Sequence, residues 1–387
     1  MPKMKLSQSA TAKCALLSAI LLLSACGSDP TPAEKSKGKA SVHGFSQYAD
    51  DAAVSKKTLI DNVTPLFDDT DKGETRAIIV MHKGKIVAEQ YGADYGAETR
   101  FISWSMAKSV TSVLLGMMVA DGRLTLDEPA PVTEWQSPGD PRGKITLRHL
   151  LHMHSGLQHK EGADDTTPIY EADTTRLLFL DGRDNVARYA EGHPMEAELG
   201  KQFEYSTATT HIINDIMTRS LTDSKDPIIR RDAMLDYAKG RLFDPLGMGS
   251  AFAEFDRSGT MLGGSMIHAT ARDWAKFGEF LRNNGSVRSA QLLPTSWLQF
   301  MRTSSPNDPA YGGHIWLNKR RPDGRDSVLF PDKAPSDVYA ALGHLGQFVI
   351  VSPQHNLTIV RLGKTLDNST GAIDNQLAKI IALFPKG

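Results

Sequence analysis

Strand-forming runs stand at both ends of this 387-residue chain, and a mostly helical block separates them. Arg76 to Gly92, RAIIVMHKGKIVAEQYG, is two β-rich runs around Lys83-Gly84, which is a hairpin signal. The last third returns to strands in YGGHIWLN and ALGHLGQFVIVSPQHNLTIVRLG, then closes with a helix from about Ala372. Residues 130 to 250 hold few such runs. There ITLRHLLHMHSGL predicts a short helix ending near Gly156, and Pro245 and Gly247 end another. GGSMIHATARDWAKFGEFLRNNG predicts a helix from about Ala269, stopped at Asn284-Gly285. One α/β (α+β) sheet built from both ends of the chain, with a helical insertion, satisfies this order.

Hydrophobic residues make up 40% of the chain and charged residues 23%, enough apolar surface for a packed core. The net charge is −1 and no basic stripe appears, which argues against nucleic acid as a partner. The two cysteines, Cys14 and Cys26, both lie near the N-terminus. Lys3, Lys5 and Lys13 precede the apolar run ALLSAILLLSA, the arrangement of a signal peptide and too short to span a bilayer. LSAC, Leu23 to Cys26, resembles the bacterial lipobox, which implies cleavage before Cys26 and a lipid on its thiol. Gly27 to Ala40 is rich in Gly, Pro, Ser and Lys and reads as a flexible tether. The expected organisation is a signal at 1–25, a tether at 26–45, a sheet domain at 46–135 and 250–387, and a helical domain at 136–249. An exported lipoprotein facing the periplasm follows, held to its membrane by the anchor alone.

FISWSMAKSVTSVLLGMMVADG carries Ser105 and Lys108 three residues apart. Val110, Val113, Leu114, Met117 and Met118 recur at helical spacing, and Gly122 is a plausible cap. On a helix, residues i and i+3 share a face, so the amine can reach the hydroxyl. The N-terminal turn favours an alkoxide and disfavours an ammonium, and burial can lower a lysine pKa by up to about 3–5 units. A neutral amine beside a hydroxyl is a general base beside a nucleophile. A serine cap beside a solvated lysine satisfies the same spacing. Ser36 and Lys39 in the tether share it without meaning anything.

Acyl transfer needs a second proton-handling group and an oxyanion hole. FEYSTATTHIINDIM offers Tyr205, followed by Ser206 and Thr207 just before a helix. A half-buried core tyrosine is the alternative. YAALGHLGQFVIV offers His344-Leu-Gly346-Gln347, a tight glycine-containing entry to an apolar strand. The N–H groups of Ser105 and Gln347 are the expected oxyanion donors.

Ser-x-x-Lys at 105–108, Tyr-Ser-Thr at 205–207 and His-Leu-Gly at 344–346, in this order, resemble the serine β-lactamase and penicillin-binding-protein superfamily. The class C-like branch, with its esterases, D-aminopeptidases and 6-aminohexanoate-dimer hydrolases, is the nearest likeness. It covers roughly residues 70 to 365. ITLRHLLHMHSGL, FDPLGM and GGSMIHATARDWAKFGEFL resemble that branch's framework. The resemblance implies a β-lactamase-like antiparallel sheet flanked by helices. It also implies an acylated Ser105, with the base and acid work shared by Lys108 and Tyr205. Two positions depart from the pattern. Thr207 stands where many relatives carry an asparagine that would hold a substrate amide. His344 stands where the β-lactamases carry a lysine that helps bind a substrate carboxylate. Histidine is not a permanent cation at neutral pH, so penicillins and carboxylate-ended peptides are expected to be poor substrates.

His149, His152, His154 and His159 crowd one region, but metalloprotease spacing is absent and no metal or cofactor is called for. Gly-x-Ser-x-Gly, phosphate-loop and dinucleotide fingerprints are also absent. Trp104, Tyr311 and Trp316 either line a substrate pocket or pack the core, and Tyr170 lies in a polar loop able to cover the site. The expected function is a serine hydrolase acting on a small ester or amide through acyl-Ser105. The alternatives are a D-amino-acid peptidase or carboxypeptidase acting on cell-wall peptides, and an inactive relative that binds.

Overall fold

The apolar runs from the two ends of the chain meet in one sheet. The computed structural model describes residues 44–68, 72–163, 167–322, 327–366 and 370–387. The signal, the lipobox and most of the tether, with Cys26, lie outside them. In chain order the strands are β1 (Ser46–Tyr48), β2 (Glu74–His82), β3 (Lys85–Tyr91), β4 (Arg100–Ile102), β5 (Phe252–Ala253) and β6 (Ile267–Thr270). Then come β7 (Ser286–Val287), β8 (Ala290–Gln291), β9 (Trp316–Leu317), β10 (Tyr339–Gly343), β11 (Gln347–Ser352) and β12 (Leu357–Lys364). The main sheet runs β1-β3-β2-β12-β11-β10-β9, and each pairing in it is antiparallel. β2 from the front of the chain pairs with β12 from its end, Val80 opposite Ile359. The β2–β3 hairpin turns at Lys83 and Gly84, whose φ values of 50° and 79° are those of a two-residue primed turn.

Both faces of the central strands are covered, which is why they carry successive apolar residues rather than a strict alternation. Ile78, Val80, Ala340, Ile350 and Ile359 face the helices Lys56–Val63 and Thr370–Ala382. Ala77, Ile79, Ala341, Val349 and Val360 face the opposite core with the helices Ala107–Ala120 and Ala271–Arg282. The helix Ala107–Ala120 is buried nearly all round. Its hydroxyls are spent on loop carbonyls: Ser109 donates to His314 O at 2.7 Å and Ser112 to Gly313 O at 2.9 Å. A second sheet, β4-β6-β5, leads into the start of this helix.

Residues 136–249 carry the helices Leu147–Leu151, Asp173–Phe179, Val186–Glu191, Thr207–Leu221 and Pro227–Ala238. Their buried side chains belong to the same core cluster as Ala107–Ala120. The first of these helices ends at Leu151, not near Gly156, because Met153 already takes a φ of 56°. Among the described residues no helix is long and apolar enough to cross a membrane.

Candidate active site

The chain enters the central helix through a 3-10 turn, Trp104–Met106, that carries Ser105. Trp104 has a φ of 45°, a left-handed conformation unusual for a bulky residue and here immediately before the serine. Lys108 follows on the first turn of the helix and is 2% exposed. Its Nζ lies 2.9 Å from Ser105 Oγ, 2.8 Å from Thr207 Oγ1 and 3.0 Å from Gly264 O. Burial pulls the Lys108 amine down to about 8, against the opposing charge of Glu161.

Tyr205 ends the loop before the helix Thr207–Leu221, whose cap is Ser206, accepting from Thr209 N at 3.0 Å. The cap fixes the backbone where Tyr205 and Thr207 depart, so one hinge aims both at Lys108. The Tyr205 ring centroid lies 4.9 Å from Lys108 Nζ. Burial pushes its phenol far above the usual value and Glu161 adds to this, while a hydrogen bond with Ser105 opposes them. The ring packs on Trp316 at 5.5 Å and on Tyr311 at 5.7 Å. Those two residues therefore form the wall behind the phenol.

Ser105, Lys108 and Tyr205 are thus brought into one site, and Thr207 joins them with its hydroxyl already engaged. Thr207 donates through Oγ1 to Glu161 Oε1 at 2.5 Å, and its backbone N–H donates to Glu161 Oε2 at 2.7 Å. His159 Nε2 lies 2.8 Å from the same carboxylate. Burial would raise the Glu161 carboxyl, but the His159 bond, the Lys108 charge and Thr207 together hold it well below the usual range. His211 and His314, also buried nearby, are pushed down to about 4 and about 3, chiefly by burial, and stay neutral.

The β10–β11 hairpin closes the other side. A Cβ on Gly343 would meet Ser103 O at 2.2 Å, so only glycine allows β10 this close to the turn that carries Ser105. Leu345 and Gly346 turn the chain with φ values of 61° and 76°. His344 is exposed at the tip, its ring edge-on to Trp104 at 5.5 Å. Gln347 differs from the expectation. It lies in β11 opposite Gly343, one strand further from Ser105, and its side chain folds back on the turn. Its Nε2 donates to His344 O at 3.0 Å, Leu345 O at 3.1 Å and Gly363 O at 2.7 Å. Beyond Trp104 a cleft of about 690 Å³ opens, with apolar walls from Ile102, Leu178, Phe179, Phe255 and Met266 and charged ones from Arg183, Asp184, Glu254, Asp256 and Arg257. Tyr170 is exposed. Among the described residues no group of three or more His, Cys, Asp or Glu side chains is placed to hold a metal ion.

The profile of the Beta-lactamase family matches residues 66–383. The chain belongs to the beta-lactamase family. This is a family of hydrolases, and the antiparallel sheet flanked by helices is its fold. A 6-aminohexanoate-dimer hydrolase of Paenarthrobacter ureafaciens is 23% identical over 58% of this chain and 56% of its own length. A solved structure of a candidate 6-aminohexanoate-dimer hydrolase from Bacillus anthracis superposes with a TM-score of 0.63. It is 20% identical and covers 88% of this chain and 85% of that one. EstCE1, a hydrolase with promiscuous acyltransferase activity, gives a TM-score of 0.61 at 17% identity, covering 84% and 98%.

Two features of this beta-lactamase-family site escape the sequence. Gly264 supplies its carbonyl from inside GGSMIHAT, a stretch legible only as framework. Glu161 sits in a polar loop with no periodicity and reaches Thr207 across 46 positions. The one signal it offers is an acidic residue two places after a buried histidine.

Proposed function

We propose that this protein is a serine hydrolase that cleaves an ester or amide through an acyl-Ser105 intermediate. The observation that carries the reading is the buried amine of Lys108 at 2.9 Å from Ser105 Oγ, beneath the Tyr205 ring. Lys108 takes the Ser105 proton as Oγ attacks the substrate carbonyl carbon. The tetrahedral intermediate collapses, the carbon–oxygen or carbon–nitrogen bond breaks, and the proton passes to the leaving group by way of Lys108 and Tyr205. Water then attacks the acyl carbon, gives a proton to the same base, and releases the acid.

The second oxyanion donor on this reading is His344 N–H rather than Gln347 N–H. Among the described residues β9 pairs with Tyr339 and Ala340, and beyond them β10's outer edge runs beside Ser103. Asn318 N–H donates to Val338 O at 3.0 Å, which turns the even-numbered residues of this strand toward that outer edge. By the same alternation Gln347 N–H is directed at Gly343 within the ladder, and His344 N–H is directed to the strand's outer side, the side on which Gly343 approaches Ser103. Loss of one such donor typically costs about 10²–10³ in rate.

Incubation with a fluorophosphonate followed by intact-mass measurement tests the proposal. One adduct, lost in Ser105→Ala, is the expected outcome, and an unmodified wild type sinks it. The lipobox residues Leu23 to Cys26 support a lipid anchor on the same protein. Cys26→Ala should then move it from the membrane fraction to the soluble one.

A further inference from the structure

A neutral lysine amine has two protons to donate and one lone pair, while a lysine ammonium has three protons and none. Lys108 has three oxygen partners: Ser105 Oγ, Thr207 Oγ1 and Gly264 O. The Gly264 carbonyl can only accept. Which of the two hydroxyls receives the lone pair therefore depends on where the Thr207 proton points.

Glu161 settles that direction. An ionised carboxylate is acceptor-only. Glu161 accepts the Thr207 hydroxyl on Oε1 at 2.5 Å and the Thr207 backbone N–H on Oε2 at 2.7 Å. With its proton spent there, Thr207 Oγ1 can only accept from Lys108. Both amine protons are then committed, one to Thr207 and one to Gly264. The lone pair has a single remaining partner, the Ser105 hydroxyl. We propose that Glu161, acting through Thr207, is a positioning residue that aims the lone pair of Lys108 at Ser105. This rests on the serine-hydrolase reading above.

The surroundings support an ionised Glu161. His159 Nε2 lies at 2.8 Å, and Asp173 stands behind His159 at 3.6 Å from Nδ1. The other titratable groups facing the pair are Tyr205, Tyr311, Glu204, His211 and His314. The two tyrosines are neutral at working pH, and the two histidines are held neutral by burial. Burial also raises the Glu204 carboxyl. Glu161 is therefore the acceptor that fixes the polarity of the chain Glu161–Thr207–Lys108–Ser105.

Glu161→Gln tests this. A glutamine amide can donate to Thr207 Oγ1, which frees the threonine proton to cap the Lys108 lone pair. Fluorophosphonate labelling rates and p-nitrophenyl acetate kinetics are measured between about pH 5 and 10. Two changes of opposite sense are expected. The plateau of kcat falls roughly 10²-fold with KM held within about threefold. The acidic limb moves to lower pH, because the carboxylate that supports the Lys108 ammonium is gone. A purely structural role would lower the plateau without that shift. A plateau within about threefold of wild type, or an unmoved limb, overturns the proposal. Thr207→Val and Thr207→Ser decide the matter if Glu161→Gln fails to fold. Serine should restore most of what valine loses, and a valine variant as fast as wild type overturns the role. A wild type that does not label at all refutes the hydrolase reading instead.

Discussion

Gly343 stands so near Ser103 that an added Cβ would sit 2.2 Å from the Ser103 carbonyl oxygen. Its φ is not in the left-handed region, so the constraint is closeness and not backbone freedom. Gly343→Ala must push β10 away from the turn that carries Ser105. The fold should survive, since the strand keeps its ladder to β11. The oxyanion donor would be displaced, and a fall in kcat of roughly 10²-fold is expected. Steady-state kinetics beside a thermal melt check this, and a fast Gly343→Ala enzyme would move the hole elsewhere.

On the proposed mechanism Lys108 is the base, and it sets the pH dependence. Lys108 must be neutral to take a proton, and burial brings its amine down to about 8. The rate should therefore rise with pH through about 8 and level off above it. Lys108→Met should abolish labelling of Ser105 by a fluorophosphonate across the whole range. A profile that falls as pH rises through that window would assign the base to another group.

The parts of this site differ in how plainly the sequence carries them. The sheet from both chain ends was legible because β2, β11 and β12 are buried on both faces and each carries a stretch of successive apolar residues. Ser105 and Lys108 were legible because three-residue spacing maps onto one helix face. The regular helix nevertheless begins two residues after Ser105, since Trp104 takes a left-handed φ that propensity does not announce. Tyr205 and Thr207 were legible as the entry to a helix, and the structure adds the Ser206 cap that holds them there. Thr207 was read as a residue facing substrate, yet its hydroxyl is held between Lys108 and Glu161. The donor expected of Gln347 falls to His344 on the proposed reading, because Gln347 stands opposite Gly343 in the ladder and strand alternation counted from sequence depends on knowing the outer edge. Glu161 could not be read at all, since its role exists only through contacts distant in sequence.

Arg361 is buried under the β10–β11 turn with no carboxylate among its hydrogen-bond partners. It donates to Gly346 O at 2.7 Å, Glu74 O at 3.1 Å and Thr365 Oγ1 at 2.9 Å. Burial, with Arg76 adding to it and Glu74 opposing, lowers its pKa to about 9. The guanidinium collects carbonyls that the left-handed turn points inward. Arg361→Met leaves them buried without donors, at about 1–3 kcal/mol for each unsatisfied group. Both the melting temperature and kcat should fall, whereas Arg361→Lys should recover stability better than activity, since one ammonium cannot span the fork. Equal recovery of both would reduce Arg361 to a packing role.

Gln347 ties the same turn from the other side, through three carbonyls and the Gly363 N–H that donates to its Oε1 at 3.0 Å. Gln347→Ala keeps its backbone N–H but releases these bonds. A loss of about 1–3 kcal/mol in stability is expected, together with slower turnover, as the turn loosens around His344. Denaturant unfolding and kcat, measured on the same preparation, separate this from a direct catalytic contact.

The cleft beyond Trp104 predicts which esters are cleaved fastest. Ile102, Leu178, Phe179 and Met266 offer apolar walls, and Arg183, Asp184, Glu254, Asp256 and Arg257 also line it, with Arg183 and Arg257 each paired with Asp184. A substrate arm that packs on the apolar walls should itself be apolar. Each buried methylene contributes about 0.8 kcal/mol, or roughly fourfold in kcat/KM. Along the series p-nitrophenyl acetate, butyrate and hexanoate, kcat/KM should climb until about 690 Å³ is filled. Phe179→Asp, at a half-exposed wall position, should flatten the series while leaving the acetate rate little changed. Nitrocefin, which carries a carboxylate, should be turned over far more slowly than the butyrate. A flat wild-type series would show that the substrate arm lies elsewhere.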